Sequence, residues 1–69
     1  MFYVDYTHGD ITERIAQEEV LDQACSIAES KKKELQSTGK SGIITVYEIT
    51  NERGMPMEKV YQFMDLKEE

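Results

Sequence analysis

Three kinds of side chain in this chain carry the reactivity that catalysis or metal binding draws on: one histidine, one cysteine and a scatter of carboxylates. A metal or acid–base centre needs several such groups to converge. His8 has no such partner in its own segment, and Gly9 beside it marks a tight turn, so His8 reads as a hairpin-tip residue and not as a ligand or base. Cys25 has no neighbouring cation in the sequence to lower its pKa, which makes it a small buried hydrophobe in preference to a nucleophile. Glu18, Glu19 and Asp22 come nearest to a cation cluster, yet they fall in the N-terminal half of a helix, where carboxylates are favourable with no ligand at all.

Phosphate chemistry fares no better. The segment Thr38, Gly39, Lys40, Ser41, Gly42 has part of the composition of a phosphate cradle, but it lacks the leading glycine and follows a helix where a phosphate loop follows a strand. Lys31, Lys32 and Lys33, with Lys40, make one basic patch that a solvated helix end explains. The chain is therefore expected not to be an enzyme, with no catalytic residue, no metal site and no cofactor.

Composition narrows the partner. Eight basic against fourteen acidic residues leave a net charge of −6, which opposes the attraction that drives most nucleic-acid binding and suits a basic protein surface, besides aiding solubility. A single cysteine allows no internal disulfide, and no secretion signal is evident, so a reducing, cytoplasmic setting is expected. No apolar run approaches the roughly 18 residues that span a bilayer, so membrane insertion is not expected. Sixty-nine residues suffice for a single domain. Its stability should stay near 3 to 5 kcal/mol, roughly what such a core supplies.

The elements that must position any site follow from periodicity. Residues 2–15 alternate, with Phe2, Val4 and Tyr6 matched by Ile11 and Ile15, and read as a hairpin with His8 and Gly9 in its turn and Tyr6 opposite Ile11. A capping-box spacing from Asp10 to Glu13 offers a rival helix start. It fails on phase, because Ile11 and Ile15 would face away from the stripe Val20, Leu21, Ala24, Ile27, Ala28 and Leu35. The helix is placed at residues 17–37 and ends at Gly39. A second hairpin spans residues 43–64 around a loop at residues 51–56, with Glu48 opposite Lys59, Val46 opposite Tyr61 and Ile44 opposite Phe63. Residues 65–69 form a charged tail expected to fray. The order is ββαββ, an α+β fold with a four-stranded, mostly antiparallel sheet and one helix packed on one face.

One helix covers one face, so the second face needs an occupant. In this register it presents Ile43, Tyr47, Ile49, Val60 and Met64, a patch that monomers seldom expose, and the loop adds the adaptable Met55, Pro56 and Met57. The expected function is a non-enzymatic protein-interaction domain that binds a second copy of itself or another protein through that face. The alternative is an acidic mimic of nucleic acid that blocks a basic groove, which requires Glu13, Glu18, Glu19, Asp22 and Glu29 to make one continuous negative face.

Overall fold

Alternation in the two halves of the chain is realised as strands on either side of a single helix. The computed structural model describes residues 1–66 and contains β1 (Phe2–His8), β2 (Ile11–Glu18), α1 (Leu21–Ser37), β3 (Ile43–Glu52) and β4 (Met55–Asp65). The expected ββαββ order is present, and the strands form one antiparallel sheet in the order β2-β1-β3-β4. β2 and β3 thus run parallel on either side of β1. Parallel strands cannot be joined by a tight turn, so α1 is the crossover between them and covers one face. There Val4, Tyr6, Ile44 and Val46 meet Ala24, Ala28 and Leu35.

The helix begins four residues later than the periodicity suggested. Gln17 and Glu18 pair with Tyr3 and Phe2, so the β1 ladder keeps them extended, and α1 starts at Leu21 behind an extended Val20 that supplies no side-chain cap. Glu18 and Glu19 consequently lie outside the helix, leaving Asp22 as the acid of its first turn, and no basic residue occupies its last turn. The stop at Gly39 is a Schellman motif. Gly39 takes φ +72°, its N–H bonds Gln36, and the N–H of Lys40 bonds Leu35.

Both hairpins depart from the expected register by identifiable devices. In the first, the turn is Gly9-Asp10, with Gly9 at φ +59°, so His8 pairs with Ile11 and Tyr6 with Glu13. Positive φ at the first turn position alone is the type II′ pattern, which glycine adopts without strain. As far as Asp5 opposite Arg14 the slip moves each partner by two residues, an even number, and side chains keep their faces, but beyond a bulge at Ile15 the partners of Val4, Tyr3 and Phe2 move by three and the faces of β2 exchange. His8 is accordingly not at the tip. It stacks on Tyr6 with ring centroids 4.8 Å apart and meets Glu13 at 3.3 Å.

In the second hairpin Glu48 lies opposite Lys59 as expected, but Val46 pairs with Gln62 and Ile44 with Met64. Tyr61 is an extra residue, a β-bulge. The expected loop at residues 51–56 shrinks to Arg53 and Gly54, both at positive φ, as a type I′ turn requires. Arg53 at φ +53° is strained, since a Cβ crowds the left-handed region. Arg53→Asn is expected to raise stability by about 0.5 to 1 kcal/mol, measured as a higher urea midpoint at unchanged slope.

β1 pairs with β3 only as far as Phe2 opposite Glu48. Beyond that, Ile49 to Glu52 pair with Met55 to Glu58 alone, a projecting two-stranded arm that helps draw the molecule out to 42 × 25 × 17 Å. The opposite end is fastened. Tyr6 Oη donates to the Ser41 carbonyl at 2.6 Å, and the N–H of Leu66 donates to the Gly42 carbonyl at 2.8 Å. Leu66 was expected in a frayed tail; it is fully buried in the core beside Leu35 and Ile44. The rest of that tail, residues 67–69, lies outside the described residues.

Candidate interaction surface

The bulge decides which residues the helix-free face presents. Along β3, Ile43, Thr45, Tyr47 and Ile49 alternate away from the buried Ile44 and Val46, and their partners on β4 are Asp65, Phe63, Val60 and Glu58. With Tyr61 inserted, the residues after it change sides. Met64, expected on this face, packs instead against the core, and Phe63, expected beneath the helix, stands here 65% exposed. The energetic reason lies in Tyr61 itself. Its ring meets Phe2 edge-on at 5.5 Å, its hydroxyl donates to Glu48 at 3.0 Å, and Lys59 Nζ lies 5.1 Å from its centroid. Keeping Tyr61 there while seating the flexible Met64 in the core requires one extra residue between Val60 and Gln62.

Of the expected patch, Val60 is 51% exposed and Ile49 is comparably open, both on the helix-free face. Ile43 is half-buried, and Tyr47 is buried at 7% exposure, so it supports the face more than it offers contact. Met55, Pro56 and Met57 do not form a loop. They open β4 in the projecting arm, and all three are exposed. Phe63 was missed because strict alternation was imposed on β4. The signal was legible nonetheless: Val60, Tyr61, Phe63 and Met64 are apolar on both parities, which no unbulged strand with one buried face accommodates.

The other half of the face is polar and held rigidly. Tyr47 Oη donates to Asp5 Oδ2 at 2.8 Å, and Arg14 Nη2 donates to Tyr47 Oη at 3.4 Å. Arg14 also lies 4.3 Å over the Tyr3 ring and 3.7 Å from Asp5 Oδ1. Burial, and then the bond to Asp5, hold the Tyr47 phenol above its ordinary pKa. The folded state therefore retains this proton to higher pH than the unfolded chain. Its stabilising share is complete below about pH 10 and is lost as pH rises through the folded pKa. Asp5 Oδ1 is buried without a hydrogen bond, with only the Arg14 ion pair near it, so Tyr47 Oη supplies the short hydrogen bond to that carboxylate. Tyr47→Phe is expected to cost about 1 to 3 kcal/mol. Its tyrosinate absorbance difference from the wild type should show the lost phenol titrating above pH 10, roughly the free value. A phenol titrating below that point would contradict the geometry.

The remaining chemistry-bearing residues do not converge. No group of three or more His, Cys, Asp or Glu among the described residues is arranged to hold a metal. Cys25 is half-buried beside the core. Lys31 is paired with Glu34 at 2.8 Å, which raises its pKa. Glu18 and Asp22 lie together at one end of the α1–β2 crease, whereas Lys31 lies further along it. No helix among the described residues is long and apolar enough to cross a membrane. Compared with known protein families, with curated proteins and with solved structures, the chain matches none.

Proposed function

We propose that this chain is a non-enzymatic interaction domain that binds another protein through the β3–β4 half of its helix-free face. The observation that carries the reading is the cluster of Phe63, Val60 and Ile49, large apolar side chains left in water on one side of one hairpin. Apolar surface gathered in this way costs solvation free energy until a partner covers it. Binding through the face is favoured over strand addition at an edge. Both edge strands are bulged, at Ile15 in β2 and Tyr61 in β4, and Pro56 removes a donor from β4, features that obstruct sheet extension.

Charge selects the kind of partner. Glu58 flanks the patch on the same face, within a chain of net charge −6. A second copy would bring like-signed rims together, whereas a protein with an apolar centre and a basic rim complements both features. Val60→Lys and Phe63→Ser test this. Each should abolish capture of a partner that the wild type retains, while thermal stability shifts by no more than about 0.5 kcal/mol, as for ordinary surface changes. Equal capture by wild type and variants would sink the reading. Sedimentation that shows a wild-type dimer dissociated by Val60→Lys would reassign the occupant to a second copy.

A further inference from the structure

The large apolar residues left exposed among the described residues fall into separate places. Besides Met1 and those of β3 and β4, Ile11 and Val20 remain, 56% and 50% exposed, at the start of β2 and just before α1. Between β2 and α1 runs a crease whose half-buried apolar lining is Ile15 from the β2 bulge and Ile27 from α1. The open space there is about 500 Å³. Past Ile27 it continues to Glu18 and Asp22.

We propose that this crease is a second docking surface, which receives a lysine- or arginine-bearing amphipathic helix from a partner protein. Three features select that occupant. Ser26 and Ser30, one turn apart on the α1 wall, leave room for another backbone to lie close to α1. The bulge at Ile15 breaks the regular spacing of outward backbone groups on β2, so an added strand is disfavoured and a helix in the groove is not. Glu18 and Asp22 give one end of the crease an acidic rim, while toward the other end Lys31 and Glu34 pair at 2.8 Å and neutralise each other. From Asp22 to Glu34 the wall is about 18 Å long, which matches roughly three turns of a partner helix. The two surfaces would lie toward opposite edges of the sheet, so one chain could bridge two partners.

The test is an amide-shift titration of the full chain with a synthetic helix of about 14 residues, leucines on one face and lysines on the other. Saturable shifts at Ile15, Ser26 and Ile27 are expected. Binding should weaken about tenfold in Ile27→Lys and in Ser30→Arg and remain unchanged in Val60→Lys. If Ile27→Lys fails to fold, the exposed Ser30→Arg carries the comparison alone. A scrambled peptide of the same composition that binds as tightly would show mere charge attraction and overturn the proposal. So would shifts centred on Val60 and Phe63, or no saturation. Val60→Lys alters only the opposite face, so failure here leaves the reading of that face untouched.

Discussion

Gly42→Ala is expected to leave the chain largely unfolded. Gly42 sits at φ +141°, and a Cβ built on it would lie 2.6 Å from the Thr7 carbonyl oxygen and 2.6 Å from Tyr6 Cε1. Neither neighbour can yield freely. The carbonyl belongs to the β1 backbone, and the Tyr6 ring is held by its bond to Ser41 and by the stacked His8. A disallowed backbone costs about 1 to 3 kcal/mol, and overpacking costs about as much again. Set against a total of roughly 3 to 5 kcal/mol for a core of this size, the sum approaches the whole stability. Gly54→Ala is the control, since its φ of +79° faces open space and only the backbone strain applies. Urea unfolding followed by circular dichroism should show Gly54→Ala folded and less stable by about 1 to 2 kcal/mol, with Gly42→Ala lacking a native baseline. Equal stabilities would show that the close approach of Gly42 to β1 is not a feature of the molecule in solution.

Leu66→Ala is expected to have the next largest effect, about 2 to 5 kcal/mol. Leu66 follows the last strand in a segment of charged sequence, yet it is among the largest fully buried side chains and closes the core beside Leu35 and Ile44. Its N–H bond to Gly42 ties the end of β4 to the start of β3, so truncation of the side chain should also loosen that connection. Amide exchange near Gly42 and Ile43 should quicken in Leu66→Ala, together with a fall in melting temperature. An unchanged melting temperature would place Leu66 outside the core.

How legible the chain is depends on how local the determining physics is. The hairpin–helix–hairpin order, the Gly39 stop, the extended conformation of Ile11 to Ile15 and the Glu48–Lys59 pairing follow from side-chain periodicity, turn residues and charge, all of which act within a few positions. The helix start does not. Gln17 and Glu18 are satisfactory helix residues held in a strand by β1, a partner that sequence spacing alone does not announce.

The two bulges mark the same boundary for the candidate site. Val60 and Ile49 could be placed on the open face from parity, because no irregularity lies between them and the arm's turn. Phe63 and Met64 exchanged faces because one inserted residue reverses every side chain beyond it, and the insertion is stabilised by contacts of Tyr61 with Phe2 and Glu48 across the sheet. By itself, then, the sequence determined the element types, their order and the excess of apolar residues over what one helix could cover. Only the tertiary structure decided the strand order β2-β1-β3-β4, the burial of Leu66 and Tyr47, and the identity of the exposed aromatic. Those outcomes depend on packing between residues far apart in the chain, where near-equal local preferences are resolved by which side chains fill the shared core.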